Sequence, residues 1–424
     1  MNIFKEYDIR GVYPDELDEN KSYRIGLAVA RLVEKEKLFL SYDNRVGSLN
    51  IKTSFINGLI SGGAVVYDSG LYPITVPAFA SFKENAYGVC ITASHNPAKY
   101  TGILMFRNGT GSSVTPDKIK KRMNAKPLKK KGRIVDYDYS DEYLKYISKG
   151  INRLNLKIGI DSMGGSTTDI AVKLFQRLGA EVHSLHPKMS SDFYGKVPEP
   201  SKDNSRGLGR FILRNGLDFG IQLDADGDRV MFVDNEGKVL DPMTSAMIFI
   251  KYLKLKETVA TVGCSMLLEN YAKVTYTKVG RTHVEAELEA KKYDFGVETS
   301  SHFYFGKYYP FSDGLLGGLL MANVLSKTGR KLSEILKEFP KVYHGDLSIK
   351  VKNQGEANKK MKMLIKRLSI YGKSLYLDGI KTFIKDGFIL FRKSNTEPLV
   401  RGHYEAKSES TARYLNKLMR RIAR

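Results

Sequence analysis

Over roughly its first 340 residues this chain alternates strand-like and helical segments. A short apolar run reads as a strand and closes on polar residues, and a stretch of helical periodicity follows. Alternation of this kind restricts a chain to α/β architecture with largely parallel sheets. Leu38-Phe39-Leu40-Ser41-Tyr42-Asp43 precedes a helical stretch over 51–61, and Ala64-Val65-Val66-Tyr67-Asp68 ends in the same way. Leu156-Lys157-Ile158-Gly159-Ile160-Asp161 starts the cycle again, with Gly164-Gly165-Ser166 and a helix over 168–178 behind it. Val259-Ala260-Thr261-Val262, followed by a helical turn over 265–271, begins a third. At 424 residues the chain is too long for one core and long enough for several domains of ordinary size.

After Phe339-Pro340 the pattern changes. Asp346-Leu347-Ser348-Ile349-Lys350-Val351 alternates like a half-exposed strand, a helix is predicted over 357–368, strands near 379–381 and 388–392, and a closing helix over 408–422. The expected fold is therefore three similar α/β domains with mainly parallel mixed sheets plus a smaller C-terminal α+β domain. The boundaries fall at 1–133, 134–235, 236–340 and 341–424. The basic run 126–133 reads as the first linker, and Asp234-Asn235-Glu236-Gly237 as a tight turn at the second boundary.

Two segments carry chemistry. In Val89-Cys90-Ile91-Thr92-Ala93-Ser94-His95-Asn96-Pro97 an apolar strand runs into a small-residue turn that presents one hydroxyl beside one imidazole. A serine displayed where a strand stops serves as a nucleophile or carries a covalent group, although most Ser-His pairs in loops do neither. In Asp224-Ala225-Asp226-Gly227-Asp228-Arg229 three carboxylates alternate on a loop that Gly227 allows to bend. Hard oxygen ligands without His or thiolate suit Mg²⁺. Asp/Gly clusters are more often polar surface turns, but here strand-like Leu217 to Leu223 and Val230-Met231-Phe232-Val233 flank the cluster.

Together with Gly296-Val297-Glu298-Thr299-Ser300-Ser301-His302, Arg392-Lys393-Ser394-Asn395-Thr396-Glu397-Pro398 and the opening Phe4-Lys5-Glu6-Tyr7-Asp8-Ile9-Arg10-Gly11, these motifs resemble, in family order, the α-D-phosphohexomutases of the phosphomannomutase/phosphoglucomutase superfamily. The resemblance implies an isomerase that moves a phosphoryl group between the 1- and 6-positions of mannose or glucose through a hexose 1,6-bisphosphate. It implies Ser94 as the phosphoserine, with His95, Arg10 and Arg229 beside it, and Mg²⁺ held by Ser94, Asp224, Asp226 and Asp228. Glu298, Ser300 and His302 would read the sugar. Arg392, Ser394, Asn395, Thr396, Arg401 and Tyr7 would hold the other phosphate. The alternative reading of Arg10 is a salt bridge to Asp8.

The chain departs from the family pattern at two places. Where many members carry a Lys in Asn-Gly-x-Lys, Tyr100-Thr101-Gly102-Ile103-Leu104 ends in an apolar residue; Arg281 stands where some relatives have His. Leu104 accepts no proton. Lys99, Arg107, His283 or His95 would have to substitute, or the protein is a phosphosugar-binding relative with impaired turnover and a regulatory role. A phosphoglucosamine mutase is a further alternative.

Composition narrows the partners. The net charge of +22 is spread over segments such as Lys118-Ile119-Lys120-Lys121-Arg122 and Lys129-Lys130-Lys131, without any zinc-finger or aromatic RNA-binding signature. Solvated helix faces are expected, and no nucleic-acid partner. No apolar run approaches the roughly 20 residues that span a bilayer, so no membrane partner and a cytoplasmic location are expected. Two cysteines, Cys90 and Cys264, argue against a disulfide framework and for buried thiols.

Overall fold

In the computed structural model, which describes residues 3–34, 36–394 and 398–424, the strands form four sheets. The first contains β1 (Ile9–Val12), β2 (Leu38–Tyr42), β3 (Val65–Leu71), β4 (Tyr87–Ile91), β5 (Tyr100–Arg107) and β6 (Arg133–Asp136), in the order β1-β5-β4-β2-β3-β6. The second holds β7 (Lys157–Asp161), β8 (Glu181–Ser184), β9 (Phe219–Leu223) and β10 (Val230–Val233), and the third β11 (Glu257–Thr261), β12 (Lys273–Thr277), β13 (Phe295–Val297) and β14 (Phe303–Phe305). The fourth is wholly antiparallel: β15 (Tyr343–Lys350), β16 (Ser374–Leu375), β17 (Ile380–Ile384), β18 (Gly387–Lys393) and β19 (Leu399–Ala406). Three α/β units and a C-terminal α+β unit are thus present, as the alternation required.

The three α/β sheets share one plan. Parallel strands, connected by helices, end in a strand that turns back antiparallel: β4 to β5, β9 to β10 and β13 to β14. A parallel strand buried on both faces must be apolar throughout, and β4 and β9 are buried at every position. The turn-back loops are 92–99, 224–229 and 298–302, the same three segments that carry the sequence motifs. In the fourth sheet the motif begins on β18, at Arg392 and Lys393, and β18 pairs antiparallel with β19.

One continuous apolar cluster runs through the first three units and includes Phe39, Leu104, Phe106, Ile158, Phe219 and Phe295. The helix Gly314–Thr328 lies inside it, buried along almost its whole length, as a helix without a polar face must be. Gly317 and Gly318 permit the close approach. A Cβ on either would stand 3.0 Å from Val230 or Ile221. Asp313 caps this helix through the Leu316 N–H and receives the hydroxyls of Tyr143 and Tyr309 at 3.0 and 2.7 Å. The fourth unit has its own core, in which Ile389, Phe391 and Val400 pack beneath Leu364 and Leu415.

Two local expectations change. The basic run 126–133 is not all linker: Arg133 opens β6, which pairs parallel with β3. It is an exposed edge strand with charged ends, and such strands give little apolar signal. The turn over 265–271 is a 3₁₀ segment, Met266–Asn270, capped by Ser265. Both cysteines are buried free thiols, and the lysines of the basic segments face solvent. Among the described residues no helix is long and apolar enough to cross a membrane.

Candidate active site

The Ser94 loop is held by groups from its own sheet. Ser94 has φ +48°, in the left-handed region, a conformation that persists in a non-glycine residue only when its surroundings enforce it. Its N–H donates to Thr92 Oγ1 at 2.9 Å. Arg45, just beyond β2, pairs with Asp43 at 2.9 Å and donates to the carbonyl oxygens of Ser94, Asn96 and Pro97, the last two at 2.8 and 3.0 Å. Both partners of this ion pair are buried. Sequence reasoning missed Arg45. The available signal was Asp-x-Arg immediately after a strand, in the region where loops of such sheets gather.

The second loop meets the first. Ser94 Oγ donates to Asp224 Oδ2 at 3.0 Å, and Thr92 Oγ1 donates to Asp226 Oδ2 at 3.0 Å. Gly227, with φ +81°, turns the acidic loop so that the N–H groups of Gly227 and Arg229 reach Asp224 Oδ1 at 3.0 and 3.1 Å. Asp224, Asp226 and Asp228 are all buried and each offers one oxygen within 4.8 Å of the others. Asp226 Oδ1 is buried without a hydrogen-bond partner. Burial, then mutual repulsion, raises Asp224 well above the carboxylate range and Asp226 to about 6. Asp228 goes the other way: burial opposes its ionisation, but His302 and Arg229 outweigh that and lower it. Buried carboxylates this close need a counter-charge, and a set of hard oxygens of which two, Asp226 Oδ1 and Asp228 Oδ1, have no hydrogen-bond partner fits a divalent cation such as Mg²⁺.

Two guanidinium groups touch the residues that follow Ser94. Arg229 Nη1 pairs with Glu199 Oε1 at 3.0 Å, and its Nη2 lies 2.7 Å from His95 Nδ1. That imidazole also sits 3.4 Å from Ser94 Oγ. Burial, reinforced by Arg229 and Arg10, lowers His95 to about 2, so its ring is neutral and Nδ1 accepts from the guanidinium. Arg10 makes the salt bridge to Asp8, at 2.5 Å, and also donates to Asn96 Oδ1 at 2.9 Å, which places it against the Ser94 loop.

The third loop closes over the acids. His302 Nε2 lies 3.4 Å from Asp228 Oδ1, and its Nδ1 lies 2.8 Å from Ser300 Oγ. Tyr304 donates to Glu298 Oε1 at 2.7 Å. Glu298 is joined to His302 through its backbone N–H, at 3.1 Å from the His302 carbonyl oxygen, and its carboxylate lies 3.8 Å from His302 Nδ1, so the three polar side chains of Glu298, Ser300 and His302 cluster beside the triad.

The fourth unit contributes separately. Arg392 and Arg401 face each other across β18 and β19, Arg392 Nη1 is 3.9 Å from Asp378 Oδ2, and Ser394 is buried. Asn395 and Thr396 lie outside the described residues. Tyr7 donates to Glu6 and meets His283 edge-on at 6.1 Å.

Of the substitute proton carriers, Arg107 is tied to Glu36 at 2.9 Å at the end of β5 remote from Ser94, because a cation on an edge-facing position finds the nearest acid. Lys99 is exposed beside the Tyr100 ring. Leu104 belongs to the main core. Arg281 lies over Phe311, 4.9 Å from its ring centre, with Nε 3.5 Å from Glu285 Oε1. Glu285 is fully buried and also receives the Gly111 N–H at 2.7 Å, tying the third unit to the first.

Residues 1–130, 138–237 and 241–343 match, in that order, the phosphoglucomutase/phosphomannomutase alpha/beta/alpha domains I, II and III. A phosphomannomutase of Methanocaldococcus jannaschii is 30% identical over 97% of this chain and 95% of its own length. A probable phosphoglucosamine mutase of Pyrococcus furiosus is 30% identical over 98% of this chain and 96% of its own. A crystal structure of a phosphoglucomutase/phosphomannomutase family protein from Burkholderia thailandensis superposes with a TM-score of 0.90 at 25% identity, covering 99% of this chain and 96% of that one.

Proposed function

Because this chain belongs to the phosphoglucomutase/phosphomannomutase family, we propose that it interconverts hexose 1-phosphate and hexose 6-phosphate through a phosphoserine at Ser94. The observation that carries this reading is the 3.0 Å contact between Ser94 Oγ and Asp224 within a buried carboxylate triad. A hydroxyl there has no structural need for three acids, whereas a phosphoryl carrier with a divalent cation does. Mg²⁺, bound by Asp224, Asp226 and Asp228 with the Ser94 oxygen, would screen the charge of the phosphoryl group.

The remaining work falls to side chains. Arg229 and Arg10 offer guanidinium N–H groups to the equatorial oxygens, and neutral His95, fixed by Arg229, stands beside the same group. A free sugar hydroxyl attacks phosphorus as the Oγ–P bond breaks. The hydroxyl's proton ends on Ser94 Oγ, which regains its place as a donor to Asp224. A loose transition state needs little assistance from a base, so an apolar Leu104 is compatible with turnover. The bisphosphate then returns its other phosphoryl group to Ser94 after turning over in the cleft.

Glu298, Ser300 and His302 would grip ring hydroxyls, since a carboxylate beside a hydroxyl answers adjacent donors and acceptors. Arg392, Ser394 and Arg401, with Tyr7 and with Asn395 and Thr396, would hold the phosphate that is not reacting.

The relatives include a phosphomannomutase and a probable phosphoglucosamine mutase at equal identity, so the substrate panel must include all three sugars. The test is a coupled assay on mannose, glucose and glucosamine 1-phosphates with Mg²⁺ and a trace of glucose 1,6-bisphosphate, beside Ser94→Ala. Turnover of any of them that disappears in the variant supports the reading. Binding of phosphosugars without turnover would replace it with the regulatory one.

A further inference from the structure

Lys381 lies on β17 with no exposed surface. Its ammonium donates to the carbonyl oxygen of Cys264, across the boundary between the fourth and third units, at 2.9 Å. The rings of Phe388, Tyr276 and Phe383 surround it at 4.0, 4.3 and 5.4 Å. A second bridge runs alongside: Glu405 accepts from Ser265 Oγ at 2.7 Å and from the Met266 N–H at 3.2 Å. Apolar contact between Val262 and Phe388 and Leu390 completes the joint. Burial holds the Lys381 ammonium down at about 8, so the group is kept at a cost that an apolar residue of the same length would avoid.

The register shows what that cost secures. Lys381 stands opposite Leu390, Phe388 opposite Glu405, and Arg392 opposite Arg401. Directly opposed residues share a face of a sheet, as do residues two apart on one strand. Phe388, Leu390 and Arg392, with Lys381, Glu405 and Arg401, therefore line a single face, while Ile389, Phe391 and Val400 point to the helices behind. One end of this face is docked on the third unit; the other end, roughly 7 Å further from Leu390 by strand rise, presents the arginines. Cys264 reaches in the opposite direction as well: its thiol donates to the carbonyl of Val297 at 3.4 Å, the residue before Glu298. An apolar joint alone could slide, whereas a carbonyl acceptor and aromatic faces fix one seating.

We propose that Lys381 is a positioning residue: by binding the Cys264 carbonyl it sets the tilt of the fourth sheet, and so the place of Arg392 and Arg401 relative to the Glu298 loop. This rests on the reading of the cleft as a phosphosugar site.

The test uses the full chain with Lys381→Met, which keeps length and removes the donor. Ser265→Ala serves as the second variant, since it weakens the parallel Glu405 bridge while leaving Lys381 in place, and keeps the test alive if Lys381→Met fails to fold. Steady-state kinetics on the preferred hexose 1-phosphate, calorimetric titration with glucose 6-phosphate and hydrogen exchange over 262–266 are measured together. The expected result is a KM and Kd about ten-fold higher for Lys381→Met, the scale on which sub-ångström misplacement of a binding group acts. The change should be smaller for Ser265→Ala, with kcat little altered and exchange faster in both. Unchanged KM, Kd and exchange in the folded variants would overturn the positioning role while leaving the mutase reading intact. A wild-type protein that neither binds nor turns over any hexose phosphate would take down both.

Discussion

Ser94 Oγ and Asp224 Oδ2 are 3.0 Å apart although 130 residues separate them in the chain. They meet because each occupies the loop at which a parallel strand turns back antiparallel, β4 to β5 and β9 to β10. The Glu298 loop has the same position in the third sheet. A repeated fold thus brings three unlike loops to one centre, and each supplies one component: a hydroxyl, three carboxylates and a polar group around Glu298.

Replacing Ser94 by Ala should remove the proposed phosphoryl carrier while keeping the backbone contacts that frame its loop. The Thr92 contact uses the Ser94 backbone N–H, and Arg45 uses its carbonyl, so the loop survives the change. Expected are an unchanged melting temperature and a fall in kcat on the order of 10⁴-fold or more, the scale on which loss of a nucleophile acts. Intact mass after incubation with glucose 1,6-bisphosphate should show phosphorylation of the wild type alone. Residual turnover near the wild-type rate would eliminate the phosphoserine.

Mg²⁺ and Asp226 should show opposite effects on stability. Without a cation, the buried triad repels itself, which is why burial and Asp228 raise Asp226 to about 6. Asp226→Asn is therefore expected to melt higher than the wild type in EDTA. With Mg²⁺ at a hundred times its Kd the wild type should gain about 2.7 kcal/mol by mass action, and the variant little. Scanning calorimetry with and without the ion decides; equal gains in both proteins would place the cation elsewhere.

The sequence made the three loops legible because each consists of contiguous polar residues between apolar strands. The fourth-unit motif is equally visible as a string, and its strand pairing puts Arg392 opposite Arg401. What stays hidden is support supplied from a distance. Arg45 is a single basic residue among many in a chain of net charge +22, and only the fold shows it threaded under the Ser94 loop. Edge strand β6 reads in the sequence as part of a basic linker because exposure removes the apolar alternation on which strand assignment depends. Lys381 and Glu285 are invisible for a related reason: long charged residues are ordinarily exposed, and nothing in their neighbours marks them as interior.

Arg45→Met should be among the most damaging substitutions outside the three loops. It would leave Asp43 as a buried charge without its partner and strip donors from three loop carbonyls. Breaking a buried ion pair from one side typically costs about 3–5 kcal/mol. Urea denaturation should show a loss of that size, with faster amide exchange across 94–97. A loss under about 1 kcal/mol, the scale of an exposed pair, would mean that the loop does not depend on this residue.

Glu285 gives the chain a pH-dependent stability whose sign can be worked out. Burial raises its carboxyl to about 7, against the opposing pull of Arg281 and the Gly111 N–H. The unfolded chain releases this proton at the ordinary carboxylate range, so between the two values the folded state binds more protons than the unfolded one. Stability contributed by the neutral acid is then fully present below the unfolded value and is lost as pH rises to about 7. The facing charges are Arg281 on the same helix, with Asp228 and Glu298 from the neighbouring loops, and none of these is changed by Glu285→Gln. That variant keeps an acceptor for Gly111 but cannot ionise. Its unfolding free energy relative to the wild type should therefore rise by about 3 kcal/mol between pH 5 and pH 8, since each tenfold difference in proton affinity between the two states is worth roughly 1.4 kcal/mol. Denaturant titrations across that range measure it, and the difference isolates Glu285 from every other titrating group. A flat difference would show that Arg281 holds the carboxylate ionised throughout. The chain would then carry a permanent ion pair between Arg281 and Glu285 in place of a titrating group.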